Sequence, residues 1–382
     1  MAERYLHFEV AIEQRPKQGR LACGDVASVM RTESETTVIV ADGIGSGTSA
    51  HVAATLCKSR FEQLLDGGFS LRQAFVRIAA SMEHYKQPGM PYAAFTVAQI
   101  RSDGHAHILG YEAPGPIWAA ADHAEPLPRR SFVMDGVTGF ESTCYLRIGE
   151  GLLLISDGIA QAGLDKVPGG WQSKGPAEYV SGLINKGLWE DMPARIQRKA
   201  CQLNNGIDYD DATVAWIRCR PARPLNILTG PPADRAKDKA VVERFMTMPG
   251  PKVICGATTA AIAARVLNRP IEIEKEPTSL IAPPRYFLEG IDLVSEGAVT
   301  LNQLNNVLEL DAEAFYEISA VTELYDRIAA ADRITIVMGI GQNPANNDPC
   351  FVQRGVLSRE KIIPLIADKL RRQGKCVIIE KV

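Results

Sequence analysis

Hydrophobic and polar positions follow two rhythms over the first 220 residues. "YLHFEVAIEQ" and "TTVIVAD" pattern as strands and flank the short segment "RLACGDVASVMR". The period then lengthens: Ala53, Cys57, Phe61 and Leu64 share one face, predicting a helix that Gly67-Gly68 stops. Ser70 is the expected N-cap of a second helix, whose buried stripe is Leu71, Ala74, Phe75, Ile78, Ala79 and Met82. Strands are expected at "YAAFTVAQIR", "HAHILGYEA", "PIWAAAD", "TCYLRIG" and "GLLLISD", with Asp103-Gly104 turning a hairpin between the first two. Helices follow over Ala177 to Lys186 and Pro193 to Leu203, and the strand "ATVAWIRC" closes the region. Strands with helices grouped between them predict an α+β domain in which helices cover a β-sandwich.

The pattern changes at "RPARPLNILTGPPADRAKD", where prolines and charges mark a boundary, dividing the chain into 1–222 and 223–382. Beyond it, "KVICGATTAAIAARVL" and "RITIVMGIGQNPANND" read as strand, turn, then helix or loop. "SREKIIPLIADKLRRQG" and "KCVIIEKV" supply a last helix and strand. This alternation predicts a smaller α/β domain.

Composition narrows the function classes. A chain of 382 residues exceeds one ordinary core, and a net charge of -3 leaves no basic footprint for nucleic acid. Eight cysteines are scattered without a C-x-x-C pair, against a zinc site or a secreted disulfide framework. The N-terminus lacks the apolar core of a signal peptide, and no apolar run approaches the ~20 residues that span a bilayer. The expectation is a soluble, cytoplasmic protein with no membrane partner.

The chemistry lies in acids at strand ends. Asp42 closes "VIVAD" and precedes Gly43; Asp157 closes "LLLIS" and precedes another glycine. Asp210 and Asp211 stand before "ATVAWI", and Asp25 follows a glycine in "CGDVAS". Alone, an Asp-Gly is commonly just a turn. Gathered at one sheet edge, such carboxylates repel unless a cation lies between them, and magnesium or manganese selects carboxylate and carbonyl oxygens. Gly43 would let a backbone carbonyl approach the same ion.

In order and spacing these segments resemble the metal-dependent protein phosphatase (PPM) family, most closely its sporulation stage II protein E (SpoIIE)-type bacterial Ser/Thr branch. The resemblance covers roughly the first 220 residues and leaves a C-terminal extension. "CGDVAS" is similar to the family's Gly-Asp element, "VADGIGSGTSAHVAA" to its Asp-Gly-x-Gly-x-Gly segment, "LLLISDGIAQAG" to its Ser-Asp-Gly strand end, and "DYDDATVAWI" to its Asp-Asp-x-Thr motif. The resemblance implies metal ligands at Asp25, Asp42, the carbonyl of Gly43, Asp157 and Asp210, with Asp211 supporting. It implies a sandwich in α-β-β-α layers and two divalent ions, manganese or magnesium, with a water between them that hydrolyses phosphoserine or phosphothreonine. The implied partner is a phosphorylated protein of bacterial signalling, such as an anti-sigma-factor antagonist.

One position departs from the wider family. Eukaryotic-type members carry a histidine where this chain has Ile44, so no general acid is assigned; His51, on the next helix, reads as a surface or packing residue. "EAPGP" at Glu112 to Pro116 reads as a shaped loop, and Trp171 and Trp189 as packing residues in the insertion before the last strand. Two alternatives stand beside the phosphatase: a catalytically weak phosphatase-fold binding or sensor module, and a histidine-kinase-type ATP-binding protein. The second needs an upstream helical asparagine, and none precedes Asn185. The spacing of Gly43, Gly45 and Gly47 also fails the dinucleotide fingerprint. In the second domain "CGATTA" suits a small anionic ligand, with "GIGQNPANND" expected opposite it, and the domain reads as regulatory or ligand-binding. Cys255 lacks any histidine after residue 123 within its own domain to activate it.

Overall fold

A computed structural model of the protein describes residues 5–45, 47–86, 90, 92–166, 168–274, 285–310, 319–341 and 355–382. The chain forms two compact units, Tyr5–Met30 with Ser34–Pro221, and Arg31–Glu33 with Ala222–Val382.

The first unit contains β1 (Leu6–Arg15), β2 (Val26–Arg31), β3 (Glu35–Gly43), α1 (Thr48–Asp66) and α2 (Leu71–Tyr85). These are followed by β4 (Ala93–Arg101), β5 (His105–Tyr111), β6 (Ile117–Ala119), β7 (Ala124–Pro126), β8 (Arg130–Met134), β9 (Val137–Tyr145) and β10 (Gly151–Ile155). The short α3 (Asp157–Ala160), then α4 (Lys174–Ile184), α5 (Met192–Leu203) and β11 (Ala212–Pro221) complete it. The strands form two antiparallel sheets, β1-β11-β10-β6-β7 and β2-β3-β4-β5-β9-β8.

Three apolar cores make the layers. Val38, Val40, Ile100 and Ile108 of one sheet meet Phe8, Leu152, Leu154 and Ile217 of the other. Alternate residues of the same strands face outward: Ile39 and Phe95 pack under α1 and α2, and Leu153 and Val214 under α4 and α5. Helix, sheet, sheet, helix is therefore the stacking order, as the period-2 and period-3.6 patterns require.

The local signals act as expected where they are strong. The Ser70 hydroxyl accepts from the Gln73 N–H, and the Gln73 side chain answers to the Ser70 N–H, closing a capping box worth about 1 kcal/mol. All six residues of the predicted stripe on α2 are buried. Asp103 and Gly104 turn the β4–β5 hairpin, with Gly104 at φ 98° and the Asp103 carboxylate accepting from His105 N at 3.0 Å.

Two readings change. The expected strand "TCYLRIG" ends at Tyr145, because β9 begins earlier, at Val137, and the chain turns at Arg147–Glu150. Its hairpin partner β8 is reached through Asp135-Gly136, both at positive φ (51° and 77°), the turn type that matches strand twist. The insertion after Asp157 keeps to expectation: it forms an outer helical layer in which Trp171 and Trp189 pack half-buried against the core. "PLNILT", inside the segment expected to be a linker, is instead a central strand; its flanking prolines sit outside the buried run Leu225–Leu228.

That strand is β12 (Pro224–Thr229), followed in the second unit by α6 (Asp238–Thr247), β13 (Lys252–Cys255), α7 (Ala257–Leu267), β14 (Ile271–Ile273), β15 (Tyr286–Leu288) and β16 (Leu293–Ser295). α8 (Ala298–Val307), α9 (Ala320–Ala330), β17 (Arg333–Met338), α10 (Arg359–Arg372) and β18 (Cys376–Lys381) follow. The sheet order is β14-β15-β16-β13-β12-β17-β18, with β16, β13, β12, β17 and β18 mutually parallel. α6 and α7 pack on one face and α8, α9 and α10 on the other. No described helix is long and apolar enough to cross a membrane.

Candidate metal centre

The sheet ends supply the acids. β2 and β3 are neighbours in one sheet, β10 and β11 in the other. Asp25 immediately precedes β2, Asp42 and Gly43 end β3, Asp157 begins the turn of α3 after β10, and Asp210 and Asp211 precede β11. Residues from 25 to 211 thus meet at one end of the sandwich. The Asp157 backbone N–H approaches the Asp42 Oδ2 at 3.5 Å, linking the two sheets across that end.

Asp25 is 2 % exposed and Asp211 3 %, while Asp42, Asp157 and Asp210 are half-buried. Both carboxylate oxygens of Asp25 are buried and receive no hydrogen bond among the described residues. The Ser156 and Thr213 hydroxyls lie near enough to favour its anion without completing a bond to it. Asp211 is oriented: its Oδ1 accepts from Lys17 N at 2.9 Å, and its buried Oδ2 lies against Gly24. Asp210 accepts from the Asp211 N–H at 2.9 Å.

Electrostatics record the crowding. Burial, then the charges of Asp211 and Asp157, push Asp25 up to about 6, against the pull of the two hydroxyls. Burial, then Asp25 and Asp157, holds Asp42 well above the usual carboxylate range. Burial first and Asp157 second raise Asp210, which Lys17 partly offsets. The grouping is electrostatic and not a finished ligand shell: among the described residues no trio of His, Cys, Asp or Glu is gathered tightly enough to hold one ion. The donor set nevertheless fits a hard divalent cation. It is all oxygen, it is strongly anionic, and its deepest carboxylate has two buried oxygens without a donor.

Two glycines set the backbone here. A Cβ on Gly43 would meet the Ala50 carbonyl oxygen of α1 at 2.0 Å, and one on Gly158 would meet the Asp211 carbonyl oxygen at 2.1 Å. Each follows one of the acids, so the strand ends are pressed against neighbouring backbone where no side chain fits. Ile44 is partly exposed and carries no ionisable group. The His51 ring is engaged by its Nδ1 with the Cys23 carbonyl oxygen at 2.8 Å, bracing the loop before Asp25. The Cys23 thiol is pushed up to about 12, by burial and then by Asp25, which removes it as a nucleophile at neutral pH. Cys255, in the other unit, is buried and raised to about 11 for the same first reason.

The loop between β1 and β2 adds what the motifs do not signal. Lys17 lowers the Asp210 pKa through its charge, and the Arg20 side chain reaches beside Gly47, within 4 Å of where a Cβ would stand. Neither residue belongs to a spaced motif; only the loop's return to the sandwich end brings them here.

Residues 32–220 match the family described as Stage II sporulation protein E (SpoIIE). Similar solved structures include the RsbU and RsbW domains of a Mycobacterium tuberculosis protein, with 16% identity over 63% of this chain and 67% of that one, at a TM-score of 0.47. The PP2C phosphatase domain of SpoIIE from Bacillus subtilis, with a fragment of its regulatory domain, is 17% identical over 57% of this chain and 63% of that one, at 0.47. RsbX in complex with magnesium is 16% identical over 57% of this chain and 98% of that one, at 0.42. No curated protein matches the sequence.

Proposed function

The domain spanning residues 32–220 belongs to the SpoIIE family of PP2C-type phosphatases, and from that membership we propose that this protein hydrolyses phosphoserine or phosphothreonine on a protein of bacterial signalling. The observation that carries the reading is the meeting of Asp25, Asp42, Asp157, Asp210 and Asp211 at one sandwich end, with Asp25 oxygens buried and undonated. Asp25, Asp42, the Gly43 carbonyl, Asp157 and Asp210 would hold two divalent ions, manganese or magnesium. Such ions supply Lewis acidity, making water a better nucleophile and offsetting charge on phosphoryl oxygens.

The chain's own residues do the rest. Asp211 accepts from Lys17 N and so ties the β1–β2 loop to the sandwich end that carries Asp25. Lys17 and Arg20 on that loop bring positive charge that favours a phosphoryl group. With Cys23 kept as a thiol and Ile44 in place of a histidine, the reading needs no covalent enzyme intermediate and no side-chain acid at position 44. The substrate is a phosphomonoester on an accessible protein segment, and a phosphorylated anti-sigma-factor antagonist is the partner class proposed.

Full-length protein is expected to release phosphate from phosphoserine and phosphothreonine peptides with added manganese or magnesium, and to lose that activity in EDTA. Hydrolysis that persists in EDTA, or a folded and metal-loaded protein inert on every phosphopeptide, would overturn the reading; inertness would favour a binding module. The second unit is proposed to regulate and not to catalyse. A chain ended at Pro221 is expected to fold and to keep hydrolysing a small aryl phosphate at a rate within about threefold of full length, because all the proposed ligands lie in the first unit. Loss of that activity in a folded, metal-loaded truncation would show that the second unit completes the site.

A further inference from the structure

The parallel strands of the second unit lie in the order β16-β13-β12-β17-β18, so the chain winds outward one way from β12 and then returns to wind the other. The helices change face at the same step. In open α/β sheets such a reversal leaves a crevice at the carboxyl ends of the strands. A cavity of about 270 Å³ lies at the carboxyl ends of β12, β13 and β16, where α7 and α8 leave neighbouring strands for opposite faces. It is lined among others by Thr229 after β12, Gly256 and Thr259 after β13, Glu296 and Gly297 after β16, and Arg359 at the start of α10.

Its polar groups are arranged for a ligand. Thr229 is 2 % exposed and Thr259 3 %, yet both line the cavity, and neither hydroxyl makes a hydrogen bond among the described residues. Arg359 lies across Gly230, whose missing side chain makes room: a Cβ there would meet the guanidinium carbon at 2.1 Å. One Arg359 nitrogen donates to the Gly341 carbonyl at 3.1 Å, but its Nε is buried without an acceptor, and no ion pair to Arg359 forms among the described residues. The eleven-residue α7 has Gly256 (φ 130°) at its N-cap position and so no side-chain cap, leaving its first backbone N–H groups at the cavity. Glu296 is engaged, accepting from Tyr286 Oη and Gly297 N at 3.2 Å each. Its charge disfavours a second anion at that end and suits hydroxyl donors.

We propose that this cavity binds a hydroxyl-bearing phosphomonoester, either a sugar phosphate or a nucleoside monophosphate. The phosphate lies on the Gly256–Thr259 turn and Arg359, and ligand hydroxyls face Glu296. The Cys255–Ala260 turn signals the anion in the sequence; the facing wall expected in "GIGQNPANND" lies, from Gln342 onward, outside the described residues. Arg359, a hundred residues from that turn, is what the sequence does not reveal.

The test is calorimetric titration of full-length protein in EDTA, which silences metal-dependent hydrolysis, with inorganic phosphate, ribose 5-phosphate and AMP. Saturable one-to-one binding of ribose 5-phosphate or AMP is expected, at least about tenfold tighter than inorganic phosphate. Tighter binding of AMP or of ribose 5-phosphate tells which source the site takes. Arg359→Gln should weaken the bound phosphomonoester about 10- to 100-fold, and Thr259→Val, which keeps the side-chain shape, roughly 3- to 10-fold. Glu296→Gln should weaken the hydroxyl-bearing ligand more than inorganic phosphate. No saturable heat up to about 10 mM of either organic ligand, an affinity ceiling of only a few kcal/mol, would overturn the proposal. So would affinity unchanged in Thr259→Val, a variant that spares the Arg359 bond to Gly341 and therefore tests the site even if Arg359→Gln unfolds.

Discussion

Asp42→Asn, Asp157→Asn and Asp210→Asn are each expected to leave a folded protein whose metal-dependent phosphatase activity falls at least ~100-fold, because ligands that act as a unit fail together. Asn keeps the side-chain shape and one oxygen but removes a negative charge. The three acids come from β3, from the turn after β10 and from the residue pair before β11, so no local unfolding of one element accounts for a common loss. The double variant Asp42→Asn/Asp157→Asn should lose little more than either single one. The measurements are phosphopeptide hydrolysis against manganese concentration and circular dichroism of each variant. Near-wild-type activity in all three would remove the metal reading; losses that multiply in the double variant would show that the acids act independently.

Asp25→Asn is expected to act in opposite directions on stability and on metal binding. Asp25 is nearly inaccessible, its oxygens lack donors, and its pKa stands at about 6 in place of 3.8. Between those values the folded protein binds more protons than the unfolded chain, so metal-free stability falls as pH rises from about 4 through 6 and stays reduced above. Asp42 and Asp210, both raised, add to the same slope. The Asn variant removes the charge of the least exposed of these carboxylates. In EDTA at pH 7.5 it should melt higher than wild type by several degrees, on the order of 2 kcal/mol, and the difference should vanish near pH 4. Added manganese should then stabilise wild type markedly and the variant hardly at all, since binding to the folded state alone shifts the melting point. An equal or lower melting point for metal-free Asp25→Asn at pH 7.5 would show that the carboxylate is better solvated than its burial implies.

Much of the first unit was legible because its signals are local. The stripe Leu71 to Met82 repeats at helical spacing, Ser70 is three residues from Gln73, and Asp103-Gly104 is a turn by its own backbone preference. Where two local signals compete the reading slips. In "PLNILT" the bracketing prolines suggest a linker, but they occupy the strand's first position and the loop beyond it, where no ladder N–H is needed. In β9 the apolar residues run on into a turn, and strand length was settled by the Asp135-Gly136 hairpin instead.

The candidate site divides in the same way. That Asp25, Asp42, Asp157, Asp210 and Asp211 stand at strand ends is a property of the sequence, because the end of an apolar run followed by glycine is written in neighbouring residues. That they meet is a property of sheet order: β2 beside β3, β10 beside β11, and the two sheets face to face across Val40, Ile108, Leu154 and Ile217. No periodicity encodes those pairings, which join residues up to about 190 positions apart through burial of apolar faces. Burial in turn decides which acid is hidden without a donor and which is oriented by Lys17. The arrival of Arg20 beside Gly47 and of Arg359 across Gly230 depends likewise on loops returning to a sheet edge. The chain's own order therefore determined the elements and the acids, and only tertiary packing decided their company, since electrostatic and hydrogen-bond environments belong to places in space and not to positions in a sequence.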